Sequence, residues 1–522
     1  MKENTNSNIQ KMTGRENLQS INPVTQTVIP QKFVVATSDE INSAAENANE
    51  AWKTYRKTSG KEKASFLSDI VLELESLGDT LVHKAMEESG LPEGRIRGEL
   101  GRTCNQLLQF ADLLKEGDWV DAIIDEALPH REPLPRADIR KMSVALGPVA
   151  VFTASNFPLA FSTAGGDTAS ALAAGCPVLV KAHPSHLGTN HLVAGAIIQA
   201  AQKNNLPKGV FASLNGGVET GQQLVGHPLI KAVGFTGSYT GGKALFDLAN
   251  RRTTPIPVYA EMGSNNPIFI LNRKLSENAE TLASTIANSV NLGAGQFCTN
   301  PGILVLEKGK EADGFITALK IAFEKLSADT MLNEGIYKAY NRGKASCFDI
   351  SGVTPMFEHK SSNDDWKAGP SFASVPASKF MDNVDLQEEV FGPFTLIVVC
   401  EDKPEMLQVA SHLRGQLTAT IMGNAQDLAN ALELSEILAQ KAGRVIFNGV
   451  PTGVEVCPAM HHGGPFPASS NALFTSVGMD AIKRFVRPVS FQDMPDDLLP
   501  EELKQDNPLK ILRTVNGMKT RE

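Results

Sequence analysis

The sequence predicts an α/β protein made of two doubly wound parallel-sheet domains and a small β ribbon. From residue 148 onward, short apolar runs alternate with helical segments, the signature of parallel strands joined by crossover helices. The second half of the chain repeats that theme. Between the two helical segments that open the chain and the first such strand lies DAIIDEALPHREPLPRADIRKMSVALG (121–147), whose prolines and charges break helix and suit a protruding ribbon.

In SGKEKASFLSDIVLELESL (59–77), Phe66, Leu67, Ile70, Val71 and Leu74 recur at helical spacing. A second helix runs through GELGRTCNQLLQFADLLKEG (98–117). Then PVAVFTA, PVLVKA, VFASLN and KAVGFTGS read as strands, with STAGGDTASALAAG, TNHLVAGAIIQAAQKN and GGKALFDLAN as helices between or after them. Later strands are VYAEM, PIFIL, GILVLE, FTLIVVC, LTATIMG and RVIFNG. A doubly wound sheet takes its ligands at the carboxyl ends of its strands.

A chain of 522 residues is long enough for two or three domains. The expected division is a disordered or extended lead-in (1–20), a dinucleotide-binding domain (21–120 and 143–258), a catalytic domain (259–470), and an oligomerisation ribbon with the C-terminal tail (121–142 and 471–522). A net charge of −9 disfavours nucleic acid as partner. No run approaches the ~18 apolar residues of a spanning helix, and the polar start lacks the apolar core of a secretory signal. Six scattered cysteines without a C-x-x-C pair fit reduced thiols in a cytoplasm.

Several stretches carry chemistry. GAGQFCTNPG (293–302) sets Cys298 in an open, glycine-rich backbone: an inert small side chain, or a nucleophile whose surrounding N–H groups face a reacting oxygen. VYAEMGSNNP ends an apolar strand on Glu261, a general base or a capped strand-end carboxylate. ASNFPLAF holds Asn156, whose amide either donates to an oxyanion or makes its own turn. GFTGSYTGG opens a helix at Gly237 and Ser238, where a phosphate is favoured, but it lacks the G-x-G-x-x-G spacing. Lys181 leaves the strand VLVK, either to meet a ribose or phosphate or to reach solvent. EEVFGPF contributes Glu389 and Phe391.

NFP (156–158), KAHP (181–184), FTGS (235–238), EMG (261–263), GQFC (295–298) and EVFGP (389–393) follow one another in the order found in the aldehyde dehydrogenase superfamily, which the chain resembles from about residue 20 to 500. The resemblance implies an aldehyde dehydrogenase-like fold and a hydrolytic mechanism. Cys298 attacks the aldehyde carbon, the backbone N–H of Cys298 and the Asn156 amide hold the oxyanion, hydride passes to a nicotinamide, and Glu261 activates the water that hydrolyses the thioester. By the same resemblance Lys181 binds the adenosine ribose, Gly237 and Ser238 approach the pyrophosphate, Glu389 and Phe391 meet the nicotinamide ribose, and Asn448 steadies the site loops. No histidine is required, and no metal is expected. His461 and His462 are read as shaping the substrate entrance. The partners implied are a small-molecule aldehyde and further copies of the chain, as homodimer or homotetramer, with no membrane.

Many NAD-specific members carry a glutamate three residues after the lysine; here that position is Pro184. Losing a carboxylate removes a repulsion against a 2′-phosphate, so NADP is favoured, with NAD the alternative; Glu219 would count against a phosphate if it lay close. ASNFP, KAHP, GVPTGVEVCPAMHHGGPFPAS and the tail RFVRPVSFQDMPDDLLPEEL resemble the α-ketoglutaric semialdehyde (2,5-dioxovalerate) dehydrogenases, whose reaction yields 2-oxoglutarate. NADP-dependent fatty or medium-chain aldehyde dehydrogenases share much of the pattern, while a CoA-acylating enzyme or an inactive binding protein fits the intact residue set less well. An acid-bearing aldehyde needs a cation at the far end of its tunnel. Arg102 is the candidate, with Gln106 at i+4; the competing reading pairs Arg102 with Glu99 or Glu93 at the surface. Phe157, Phe161 and Phe466 suit the walls of either tunnel.

Overall fold

The computed structural model describes residues 16–359 and 365–522; most of the expected lead-in, residues 1–15, lies outside the described residues. Three helices open the fold: α1 (Ser38–Tyr55), α2 (Gly60–Ser89) and α3 (Glu93–Glu116). Thr37 and Ser59 cap the first two, each answered by a glutamate three residues on, so the orphan N–H groups of both first turns are satisfied reciprocally. The third starts five residues before the predicted position. Gly94, Gly98 and Gly101 carry no side chains to mark a periodic face, and Pro92 enters the helix without an N–H to satisfy.

Next come β1 (Ile123–Asp125) and β2 (Ile139–Ala145). Five strands follow, β3 (Val149–Phe152), β4 (Val178–Lys181), β5 (Phe211–Leu214), β6 (Ala232–Thr236) and β7 (Val258–Glu261). They form one parallel sheet in the order β7-β6-β3-β4-β5. The chain lays β3, β4 and β5 outward, then returns to set β6 on the other side of β3, so the switch point lies between β3 and β6. Alternate side chains of β3 enter cores on opposite faces: Val149 and Val151 pack toward α2 and α3, and Ala150 and Phe152 toward α1.

A second sheet holds β8 (Ile268–Ile270), β9 (Ile303–Glu307), β10 (Thr354–Glu358), β11 (Ser371–Pro376), β12 (Phe394–Cys400), β13 (Gln416–Met422) and β14 (Ala442–Phe447). Its order is β10-β11-β12-β9-β8-β13-β14, parallel except at the β10–β11 edge. Phe269 packs into one face and Ile268 and Ile270 into the other. The last strands, β15 (Val486–Gln492), β16 (Arg513–Val515) and β17 (Met518–Thr520), join β1 and β2 in a third sheet, β15-β2-β1-β16-β17. Ile124 and Met142 close its core with Leu499, Leu503 and Ile511. Among the described residues no helix is long and apolar enough to cross a membrane.

Because β7 runs directly into β8, the carboxyl edge of the first sheet faces the amino edge of the second. Asn156, Lys181, Ser238 and Glu261 leave the first edge; Cys298 precedes β9 and Glu389 precedes β12.

Candidate active site

Gly293, Ala294 and Gly295 take three successive left-handed conformations, φ 55°, 54° and 66°, between the helix Asn272–Asn291 and Cys298. Gly295 has no alternative, since a Cβ there lies 2.2 Å from the carbonyl carbon of Gly392. The cysteine loop thus presses directly on the segment that carries Glu389, and Asn300 Nδ2 adds a 3.1 Å hydrogen bond to Gly392 O. Asn266, fully buried, donates its Nδ2 to Cys298 O and Asn300 O, both at 2.9 Å. The glycine-rich backbone around Cys298 is thus held from three sides, and the thiol is left facing a cavity.

Glu261 is buried at the end of β7 and collects donors. Ser476 Oγ donates to its Oε2, and His462 Nε2 lies 3.0 Å from its Oε1. The same His462 nitrogen is 3.4 Å from Cys298 Sγ. Burial alone raises the Glu261 pKa, but His462, Ser476 and the Cys298 thiol together bring it below the ordinary value. Burial first, and the Glu261 charge second, push the Cys298 thiol well above its ordinary value. The resting pair is therefore a carboxylate beside a protonated thiol.

Asn156 donates Nδ2 to Gln296 O at 3.1 Å, which ties its loop to the cysteine loop. That loop is anchored from α3: Glu99, buried, accepts from Leu159 N at 2.8 Å and Ala160 N at 2.9 Å.

Cys298 opens into a cavity of about 570 Å³ walled by α3, the aromatic rings of Phe157, Phe161 and Phe297, and residues 453–454. Gly94, Arg95, Gly98, Glu99 and Arg102 form the α3 wall. A Cβ on Gly94 or Gly98 meets nothing within 4 Å, so these glycines hold the space open. Arg95 is sandwiched between Phe157 and Phe297, 4.4 and 4.6 Å from the ring centres, and pairs with Glu99 at 3.5 Å. Arg102 lies 5.5 Å from the Phe161 ring centre and donates Nη1 to Val454 O at 2.7 Å. It forms no ion pair: Glu99 is taken by Arg95, and Glu93 by Arg97 at 2.7 Å. The surface pairing weighed from the sequence is therefore absent among the described residues.

Two expected wall residues stand elsewhere. Gln106, one turn beyond Arg102, points away from the cavity into the packed contact of α3 with Gly166 and Ser476. Phe466 is 53% exposed and packs on Tyr239. The backbone at Pro465 and Phe466 lies tight against Gly415, which leaves the ring only an outward path. His462 is a larger correction. It is 1% exposed and sits between Glu261 and Cys298, not at an entrance. The two glycines that follow it signal such depth, because a Cβ on Gly464 would lie 2.1 Å from Gln416 O. Asn266 and Ser476 carry no signal in the sequence, being polar residues in polar stretches.

Residues 9–337 match the model of the aldehyde dehydrogenase family. The chain belongs to the aldehyde dehydrogenase family. An alpha-ketoglutaric semialdehyde dehydrogenase 2 from Azospirillum brasilense is 49% identical over 486 residues, 93% of each chain. An alpha-ketoglutaric semialdehyde dehydrogenase from Acinetobacter baylyi is 46% identical over 504 residues, 96% of each. The 1-pyrroline-5-carboxylate dehydrogenase from Thermus, solved with bound NAD, shares the fold with a TM-score of 0.76 at 20% identity, over 91% of this chain and 90% of that one.

As an aldehyde dehydrogenase the protein is an NAD(P)-using oxidoreductase, and the carboxyl edge of its first sheet suits a dinucleotide. Burial pushes Lys181 down to about 8, and no carboxylate among the described residues pairs with it. Burial pushes Glu389 up to about 8 against a backbone hydrogen bond from Ser264, and no cation among the described residues pairs with it. Two half-buried ionisable groups with no ion-pair partner among the described residues suit a polar ligand. Between them Ser238 caps the helix Tyr239–Asn250, accepting from Gly241 N at 3.2 Å. Gly237 and Gly242 let that helix close onto Phe235 and Met262, where a Cβ would meet side-chain atoms at 2.8 and 2.7 Å. Asn448 Oδ1 and Nδ2 bond the backbone of Gly423 at 3.0 and 2.7 Å, bracing the ends of β13 and β14.

Proposed function

We propose that this aldehyde dehydrogenase oxidises 2,5-dioxovalerate to 2-oxoglutarate, with NADP preferred to NAD. The observation that carries the substrate is Arg102, which forms no ion pair among the described residues and stands beside Glu99 on the wall of the cavity into which Cys298 opens. The names of the two relatives above support the same substrate. The balance is aldehyde + NAD(P)⁺ + H₂O → carboxylate + NAD(P)H + 2 H⁺.

In this reading Glu261 takes the Cys298 proton, and the thiolate adds to the aldehyde carbon. His462 and Ser476 fix the carboxylate while it does so. The oxyanion is held by Cys298 N–H and the Asn156 amide, which exchanges its bond to Gln296 O for the substrate. When bound, the dinucleotide accepts the hydrogen and electron pair that leave this carbon, and a thioester remains on Cys298. Glu261, having passed its first proton to solvent, then takes a proton from the attacking water and returns it to the sulfur as the acid leaves, which restores the thiol. A carboxylate poised beside the thiol supports hydrolysis over transfer to CoA. Lys181, Gly237 and Ser238 hold the adenosine half of the cofactor, and Glu389 and Phe391 the nicotinamide half. Arg102, Phe157 and Phe161 meet the substrate. Pro184 in place of a carboxylate, and a Lys181 free of any ion pair, favour the 2′-phosphate. The first sheet and its helices form the dinucleotide-binding domain, the second sheet the catalytic domain, and the third sheet joins copies of the chain into a dimer or tetramer in the cytoplasm.

The phenylalanines of the cavity wall favour one rival reading, a medium-chain aldehyde. The deciding measurement is kcat/KM for 2,5-dioxovalerate, glutarate semialdehyde and a medium-chain aldehyde, each with NAD⁺ and NADP⁺. A preference for the dioxo acid supports the proposal; a preference for the apolar aldehyde overturns it. Wild-type turnover in Cys298→Ala would overturn the mechanism itself.

A further inference from the structure

Cys298 Sγ, His462 Nε2 and a carboxylate oxygen of Glu261 lie within 4.8 Å of one another, and Cys298 itself lines the cavity. One thiol, one imidazole and one carboxylate form a ligand set suited to zinc. With a Zn–S bond of about 2.3 Å, Zn–N and Zn–O bonds of about 2.0–2.2 Å and tetrahedral angles, sulfur and nitrogen stand about 3.5 Å apart, and nitrogen and oxygen about 3.4 Å. Here the sulfur–nitrogen separation is 3.4 Å and the nitrogen–oxygen separation 3.0 Å. For these two pairs shifts of a few tenths of an ångström reach the tetrahedral spacing, and the sulfur and the carboxylate oxygen lie within 4.8 Å of each other.

We propose that these three side chains form an inhibitory site for a zinc-like divalent cation, which closes the enzyme by capturing its nucleophile. The cation replaces the thiol proton: Cys298–SH + M²⁺ → Cys298–S–M⁺ + H⁺, the proton passing to solvent, with no change of oxidation state. His462 Nε2 and Glu261 supply the second and third ligands, and the fourth position faces the cavity and takes water. Ser476 Oγ, already on Glu261 Oε2, orients that carboxylate. His462 Nδ1, however, is buried without a hydrogen-bond partner. A ligating histidine ordinarily donates from its other nitrogen, so this site is weaker than a resident zinc centre and releases its ion. The cation is an inhibitor, not a cofactor.

The consequence, loss of activity, rests on the proposed role of Cys298, but binding itself is read without any aldehyde. Full-length enzyme is titrated with Co²⁺ and watched for a thiolate-to-cobalt absorption band. In parallel, Zn²⁺ at buffered free concentrations is added to the assay, then withdrawn with a chelator. The expected result is one cobalt per chain, and inhibition fully reversed by chelation. The cobalt band is lost in Cys298→Ser, and the Zn²⁺ dissociation constant, measured by competition with a metal indicator, rises at least tenfold in the isosteric His462→Gln. Cys457, the other thiol with surface exposure, is the control. Inhibition that vanishes in Cys457→Ser, no cobalt band in the wild type, or unchanged zinc affinity in His462→Gln would each overturn the proposal. A band of the expected kind in an enzyme inert toward dioxovalerate would sustain it and sink only the substrate reading.

Discussion

Arg102→Met removes the cavity cation that no carboxylate among the described residues pairs with directly, and keeps an unbranched stem against Phe161. A substrate carboxylate on the guanidinium gains charge-assisted hydrogen bonds worth about 1.5–3 kcal/mol each. Nη1 already donates to Val454 O, which leaves Nη2 and Nε, and the side chain is only partly buried, so water weakens the pair. A net loss of about 2–4 kcal/mol is therefore expected on the acid-bearing aldehyde; at 1.36 kcal/mol per decade this is about 30- to 1,000-fold in kcat/KM. An unsubstituted aldehyde of the same length makes no such bond and should keep its kcat/KM within about threefold. The assay is cofactor reduction followed spectroscopically for both substrates with both enzymes, a cycle in which the carboxylate and the arginine are removed in turn. Equal losses on the two substrates would refute the reasoning, because Arg102 would then be serving the wall by holding Val454 and not the ligand.

Lys181 is held at about 8 by burial, below its ordinary value of 10.5, so in the free enzyme it is a cation below pH 8 and neutral above. If NADP⁺ needs the cation, its KM should rise with pH above about 8, about fivefold over the first unit and nearly tenfold over the next, while Lys181→Met gives a high, pH-independent KM. Gly295→Ala puts a Cβ 2.2 Å from the Gly392 carbonyl carbon at φ +66°; a stability loss of about 3 kcal/mol or more and at least a tenfold drop in kcat should appear in melting and turnover, and native behaviour in both would refute the packing. Asn266→Ala strips the shared donor from Cys298 O and Asn300 O; at about 1–3 kcal/mol per orphaned group, kcat should fall more than tenfold with the KM for cofactor little changed, as steady-state kinetics will show.

The parts of the fold legible in the sequence were those written in local pattern. Most strands of the two parallel sheets are short apolar runs bounded by glycine or proline, and the carboxyl ends of the first sheet carry Asn156, Lys181, Ser238 and Glu261 as the doubly wound topology requires; β10 and β11, with polar and proline residues among the apolar ones, were not legible as strands. The start of α3 was hidden because its cavity face is made of glycines. His462 was misread for a different reason. It stands 164 residues beyond Cys298 and 201 beyond Glu261, in a loop whose irregular backbone has no period. Only the return of that loop across both sheet edges, with Ala468 O accepting from Met262 N, brings the imidazole to the thiol. Gln106 failed through geometry: helical spacing places residues on one face of α3, yet that face is shared between the cavity and the packed interior beneath it.

Gly295 and Gly392 meet with no side chain between them, and this gives the molecule a mechanical linkage. One belongs to the loop of the thiol, the other to the arm that carries Glu389. Two backbones in van der Waals contact leave no rotamer slack between them, so a displacement of the segment that carries Glu389 is passed to the loop that carries Cys298. The two segments stand as the ends of one short lever whose fulcrum is a pair of missing methyl groups.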